Sequence, residues 1–251
     1  MKVKKIVFSP TGRTEEVSSI IAKNLSDDIT KIDLCNPKLN FKNQTIIQDD
    51  LTIIAMPSYG GRAPQVAIER LKQINGNNAK AIIVCVYGNR AYEDTLAEME
   101  DAAKDAGFKI IAGISAVARH SIIPKYASGR PDAKDEKILA EFAKDILTKN
   151  QDKIAKIPGN RPYKKASKIP LVPKPNEKCI KCSICAKVCP VEAIDPVNFK
   201  ADPKKCISCM RCIDKCPENA REVNKILVKA AALAIKKACS IRKEAELFLQ
   251  E

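Results

Sequence analysis

Eleven cysteines stand in the 251 residues, and eight of them fall between positions 179 and 216. They form two runs of one design. Cys179-Ile-Lys-Cys182-Ser-Ile-Cys185-Ala-Lys-Val-Cys189-Pro190 reads C-x2-C-x2-C-x3-C-P, and Cys206-Ile-Ser-Cys209-Met-Arg-Cys212-Ile-Asp-Lys-Cys216-Pro217 repeats it. Zinc sites favour C-x2-C pairs separated by longer gaps. Two complete four-cysteine runs, each closed by proline, point instead to iron–sulfur cubanes. A cubane needs four thiolates at its corners. Three come from one tight loop, whose paired intervening residues turn the chain around the cluster and aim amides at its sulfides. The fourth comes from elsewhere. A disulfide mesh does not suit a chain of a reducing compartment. With a single histidine, His120, multi-histidine metal centres and Rieske ligation are excluded.

A second constellation lies near the start. Phe8-Ser9-Pro10-Thr11-Gly12-Arg13-Thr14-Glu15 follows a short apolar stretch and opens a helical pattern. Hydroxyls and amides at a helix N-terminus make an anion site, and Gly12 permits close backbone approach. The loop is neither the G-x-G-x-x-G of dinucleotide sites nor the G-K-[ST] of P-loops. An ordinary capped helix also uses Ser and Thr, so two further loops matter. Met56-Pro57-Ser58-Tyr59-Gly60-Gly61-Arg62-Ala63-Pro64 and Val86-Tyr87-Gly88-Asn89-Arg90-Ala91-Tyr92 each follow an apolar run. Each offers glycine for close approach and tyrosine for stacking on a flat ring.

The elements that must position these loops alternate. Apolar runs at Val3–Phe8, Ile29–Leu34, Leu51–Met56, Ala81–Tyr87 and Phe108–Val117 predict strands. Helical periods at Thr11–Leu25, Pro64–Ile74, Tyr92–Ala106 and Pro131–Leu147 separate or follow them. This predicts an α/β fold over 1–150: a doubly wound, five-stranded parallel sheet, with order 2-1-3-4-5 as one common solution. Residues 151–177 are proline-rich and basic, an extended connector or a strap on a domain surface. The cysteine segment, 178–220, forms a small α+β domain. Over 221–251, Leu227, Ala230, Ala234, Ala238, Ile241, Ala245 and Phe248 recur at three or four residues and predict a long amphipathic helix. Its lysines suit a membrane surface, but alanine buries little area, so docking on the protein or a partner is expected. His120 is expected to be a surface or loop histidine. Cys35, Cys85 and Cys239 are expected to be structural thiols.

The cysteine segment resembles the bacterial-type two-cluster ferredoxin over about 45 residues, and no motif position departs. The resemblance implies crossed ligation of two [4Fe-4S] clusters: Cys179, Cys182, Cys185 and Cys216 for one, Cys206, Cys209, Cys212 and Cys189 for the other. The first loop resembles the flavodoxin phosphate loop, [ST]-x-T-G-x-T. That implies FMN, held by Ser9, Thr11, Gly12, Arg13 and Thr14, with Pro57, Ser58, Tyr59, Gly60 and Gly61 on the second loop and Tyr87, Gly88, Asn89, Arg90 and Tyr92 on the third. The whole chain is similar to the ferrodoxin-type fusions of anaerobes, a flavodoxin-like domain followed by a two-cluster ferredoxin. Three features depart from that pattern. Arg13 replaces the usual Asn, there is no Trp, and the chain is basic where many flavodoxins are acidic.

Charge is uneven: 22 Lys/Arg against 19 Asp/Glu in residues 1–150, and 22 against 11 beyond, within a total of +14. A basic half steers an acidic partner. Nucleic acid is not indicated, since no basic helix interleaves with aromatics. No stretch has the length of a membrane span, and the chain is expected to be cytoplasmic. The expected function is electron transfer among two clusters, FMN and an acidic redox partner, with homodimerisation as another route to a short path between cofactors. The alternatives are a flavin-dependent reductase of a small acceptor such as a quinone or nitro compound, marked by a pocket lined by Tyr59, Tyr92 and His120, and a cluster-based redox sensor with an empty flavodoxin fold.

Overall fold

The computed structural model describes residues 2–149, 156–167 and 170–249. Strands β1 (Val3–Val7), β2 (Ile29–Asp33), β3 (Leu51–Pro57), β4 (Lys80–Tyr87) and β5 (Lys109–Val117) alternate with α1 (Arg13–Leu25), α2 (Gln65–Leu71), α3 (Thr95–Asp105) and α4 (Ala133–Thr148). The first five strands pair in parallel, in the order 2-1-3-4-5 of the flavodoxin-like doubly wound sheet. β3, β4 and β5 are buried almost end to end, so each is a continuous apolar run rather than an alternating one. Their side chains feed two cores. On one face Ile6, Phe8, Ile54, Met56 and Ile83 pack with Leu71 of α2 and Met99 of α3. On the other, Val7, Ile53, Val84 and Ile114 pack with Val17 and Ile21 of α1 and Leu139 and Ile146 of α4.

The described part of the proline-rich stretch that follows residue 155, 156–167, is a strap on the sheet domain; 151–155 and 168–169 lie outside the described residues. Ile157 enters the first core. The Asn160 N–H and side-chain amide donate to Asp94 at 2.8 and 2.9 Å, the Lys164 N–H donates to it at 2.7 Å, and Arg161 pairs with Glu100 and Asp101 of α3. An extended chain without a strand neighbour must satisfy its backbone elsewhere, and the acidic face of α3 supplies acceptors.

The cysteine segment is closed by β6 (Lys174–Pro175) pairing antiparallel with β7 (Arg221–Glu222), around the one-turn helices α5 (Ile184–Lys187) and α6 (Arg211–Asp214). Its small core joins Cys185, Cys189 and Cys212 to Ala193, Ile194 and Phe199.

The C-terminal segment corrects the expectation of one long helix. α7 spans only Lys225–Ile235; a turn at Lys237–Cys239 follows, and β8 (Glu246–Phe248) joins the sheet antiparallel to β5. The apolar spacing beyond Ala238 fits two periods. At Ala245, Leu247 and Leu249 the strand period of two wins, because those side chains cover the second core at a sheet edge that otherwise stays open. Among the described residues no helix is long and apolar enough to cross a membrane.

Candidate redox site

The loops after β1, β3, β4 and β5 border one open cleft. Ser9, Thr11, Arg13 and Thr14 line it from the first loop, Pro57, Ser58, Tyr59 and Gly60 from the second, and Tyr87 and Gly88 from the third. Gly12 caps α1 at φ 81°, a left-handed backbone that suits glycine. The first N–H groups of α1 then have no intrahelical acceptor. Ser9 Oγ accepts from the Glu15 N–H at 2.9 Å and so fixes the loop. Arg13 pairs with Glu16 through Nη1, while its buried Nε has no partner. An orphaned guanidinium donor beside a helix N-terminus fits an anionic group such as the phosphate of FMN. Gly60 and Gly61, at φ 64° and 87°, make the two-residue reversal that pairs the Tyr59 and Arg62 backbones. That turn holds the Tyr59 ring half-buried in the wall.

His120, expected as a surface or loop histidine, stands in the loop after β5 and also lines the cavity. Its Nδ1 accepts from the N–H groups of Ile122 and Ile123 at 3.1 and 3.2 Å, and its ring lies against Gly88, where a Cβ would meet it at 2.6 Å. Burial, with Arg90 nearby, lowers its pKa to about 4, so the imidazole is neutral at pH 7.

The cysteines gather in two sets. Cys179, Cys182, Cys185 and Cys216 line one small cleft. Cys209 is pushed above the ordinary thiol range, chiefly by burial, and Cys212, Cys189 and Cys206 lie near enough to push it further. Burial likewise raises Cys212 to about 11. Buried thiols with raised pKa values are poor thiolates unless a metal takes their charge, and this donor set fits iron–sulfur ligation. Arg221 is buried between the sets. Its Nη1 lies 3.5 Å from Cys185 Sγ and 3.0 Å from the Phe199 carbonyl, and its side chain also hydrogen-bonds Cys212.

The second set abuts the first loop. Ser208, inside the second cysteine run, lines the same cavity as Thr11 and Tyr59. Arg211 Nη1 donates to the carbonyls of Ser9 and Pro10, both at 3.2 Å. Arg70 ties the Leu34 and Pro190 carbonyls together at 2.6 Å each.

Five expected cofactor residues do not line the cavity: Gly12, which caps α1, and four others. Gly61 faces the Glu93 side chain. Asn89 is buried, donates to the carbonyls of Cys239 and Ile241 and accepts from the Lys243 N–H. Arg90 pairs with Glu93. Tyr92 stands edge-on to Tyr87 and donates to Glu246 of β8 at 3.0 Å. Asn89, Arg90 and Tyr92 hold the C-terminal segment, whose return to this loop has no local signature. Ser208 is the residue sequence reasoning missed, and His120 was placed at the pocket only under the small-acceptor alternative. The one available sign was that His120 follows a strand ending at the same edge of the sheet. Cys35 accepts from the Ser9 N–H at 3.2 Å, Cys85 is buried in β4, and Cys239 sits against Gly88.

Residues 178–221 match the family described as 4Fe-4S dicluster domain. No curated protein matches the chain. Among solved structures, it is similar to a flavodoxin of Streptococcus pneumoniae TIGR4, at 23% identity over 58% of this chain and 97% of that one, with a TM-score of 0.42. A flavodoxin of Fusobacterium nucleatum bound to flavin mononucleotide is 16% identical over 59% and 98%, TM-score 0.41. The rubredoxin oxygen:oxidoreductase of Desulfovibrio gigas is 15% identical over 59% and 37%, TM-score 0.41. The strand order, rather than these distant likenesses, carries the fold. The chain thus joins a doubly wound sheet of flavodoxin-like order to a segment that matches the 4Fe-4S dicluster family.

Proposed function

We propose that the protein carries electrons among two [4Fe-4S] clusters, one FMN and an acidic redox partner, as one continuous path within a single chain. The observation that carries this reading is Ser208. A residue between two cluster ligands lines the cavity that the phosphate loop also lines, so the two cofactor sites share a wall. Cys206, Cys209, Cys212 and Cys189 would hold the near cluster. Cys179, Cys182, Cys185 and Cys216 would hold the far one, with Cys182 open to solvent and exposed Lys178 and Lys181 beside it. Bound there, the clusters supply one-electron chemistry and the flavin one- or two-electron chemistry. Arg13, Thr14 and the amides of α1 would bind the flavin phosphate, and Tyr59 would wall its ring. A reducing cytoplasm suits the eleven free thiols.

The small-acceptor reductase is less favoured, because Tyr92 is committed to Glu246 and leaves only Tyr59 and His120 of its expected pocket. The test is iron, acid-labile sulfide and acid-released flavin on protein purified without air. About eight iron, eight sulfide and one FMN per chain are expected. Full clusters with no flavin, even after FMN is added, would favour the sensor reading and overturn this one.

A further inference from the structure

α7 is the least covered element of the described chain. The Asn224 side chain caps it by accepting from the Ile226 and Leu227 N–H groups. Of its eleven residues only Ala232 is buried, although most are apolar. Ile226 is 76% exposed, Leu233 71% and Leu227 43%, and beyond the following turn Ile241 is 75% exposed. Ile226 and Leu233, seven apart, share one line along the helix. Lys225, Lys229 and Lys236 share the neighbouring flank, spaced by four and seven. Val228, Ala231 and Ile235, each half-covered, turn the opposite side inward with Ala232.

The helix is firmly placed. Tyr126 donates to the Ala232 carbonyl at 2.6 Å, and Asn89 to the carbonyls of Cys239 and Ile241. Tyr126 and Asn89 belong to the loops after β5 and β4, which also border the cleft described above. The exposed face is thus a fixed ridge rather than a frayed end.

We infer that α7 docks this protein on an anionic lipid surface, with Ile226, Leu227 and Leu233 in the apolar boundary and the lysine flank among the headgroups. Such a surface accepts a convex ridge of any outline, and lysine stems cover apolar area while their ammonium groups reach the phosphates. The net charge of +14 adds long-range attraction. A second copy is the poorer occupant: a two-fold pairing of α7 with itself brings lysine flank against lysine flank. Ile226, Leu227 and Leu233 supply the area that the alanines do not.

The test is sedimentation of the full chain, cofactors bound, with vesicles. One set holds equal parts phosphatidylglycerol and phosphatidylcholine; the other holds phosphatidylcholine alone. Binding is expected on the anionic vesicles only. It should fall as salt rises from about 0.1 to 1 M, where the screening length shrinks from about 10 to 3 Å. The pair Ile226→Glu with Leu233→Glu should lose more than tenfold in binding, while Lys229→Ser or Lys236→Ser should each lose about fivefold. All four changes are at solvent-facing positions, so visible absorbance and iron content report whether the fold is kept. Four outcomes overturn the inference: no binding to anionic vesicles, equal binding to neutral ones, variants that bind like the wild type, or a dimer in sedimentation velocity that Leu233→Glu abolishes. None depends on flavin content, so a failure of the functional reading above is scored separately.

Discussion

The two cysteine runs are nearly superimposable in local design and opposite in surroundings. Lys181 and Ser208, two residues after each first cysteine, both have a left-handed backbone, at φ 57° and 51°. Ser183 and Met210, which open the short helices α5 and α6, both stand at φ 63°. The last cysteine of each run accepts from an amide four residues on: Cys189 from Ala193 at 3.3 Å and Cys216 from Ala220 at 3.2 Å. Surroundings then split the pair. Lys181 and Cys182 are exposed, whereas their counterparts Ser208 and Cys209 are buried against the sheet domain. Cysteine spacing sets the local cradle, and docking sets which cradle meets solvent and which meets the cavity of the sheet domain.

The sharpest way to break this contrast is to remove one matched ligand from each run. Cys182→Ser and Cys209→Ser should each cost about half of the eight iron expected of two cubanes. Only Cys209→Ser should also lower flavin content, because its loop walls the cavity. Equal flavin loss in both would show that the surroundings do not matter.

Arg221 is the contact both sets share. Replacing it with Leu removes the positive partner of buried thiolates and should cost about 3–5 kcal/mol of stability in denaturant unfolding. It should also move both cluster potentials down, since lost positive charge disfavours an added electron. Arg221→Lys should recover part of the shift. A change confined to one cluster would contradict its central position.

Acid tests the near side. The pKa of His120 in the fold is about 4, below its ordinary 6.5. The unfolded chain therefore binds the extra proton first, and stability falls as pH drops from about 6.5 towards 4. The loss is at most on the order of 3 kcal/mol, less for the solvent that reaches the half-buried ring. The difference profile between wild type and His120→Gln should show this slope, and flavin release should track it. A flat difference would place the ring in water. Arg211→Ala is milder. Losing its hydrogen bonds to the Ser9 and Pro10 carbonyls should weaken FMN binding about tenfold, near the 1.5 kcal/mol of one charged hydrogen bond, and leave the far cluster unchanged. Titration of the flavin-free protein with FMN measures it.

How much of this was legible follows from where each signal sits along the chain. The dicluster segment and the strand order were legible, because cysteine spacing and alternating apolar runs are local patterns. The three loops were legible as loops, but the ties of Asn89 and Tyr92 to the C-terminal segment were not: their partners, Ile241 and Glu246, lie about 150 residues away. The last segment was misread because Ala245 fits both a helical and a strand period, and the free edge of β5 chose between them. Ser208 was invisible for a similar reason. Nothing inside C-x2-C says which of two equal runs will dock on the sheet.

The smallest expected effect isolates the far run. Lys181 is exposed beside Cys182, so it contributes to the field an acidic donor meets and little to the fold. Lys181→Glu should slow electron transfer from such a donor several-fold at low salt, and the difference should vanish as salt screens it. Stability and flavin content should stay at wild-type values, because an exposed charge is worth little to either. The matched change at the near run, Ser208→Glu, reverses the pattern. It buries a carboxylate in the cavity wall, so it should impair flavin binding at any salt. Stopped-flow rates across a salt series, with flavin content measured in parallel, separate the two. If Lys181→Glu left the salt dependence untouched, the partner would have to approach from elsewhere, and the exposed cluster would not be where the path opens.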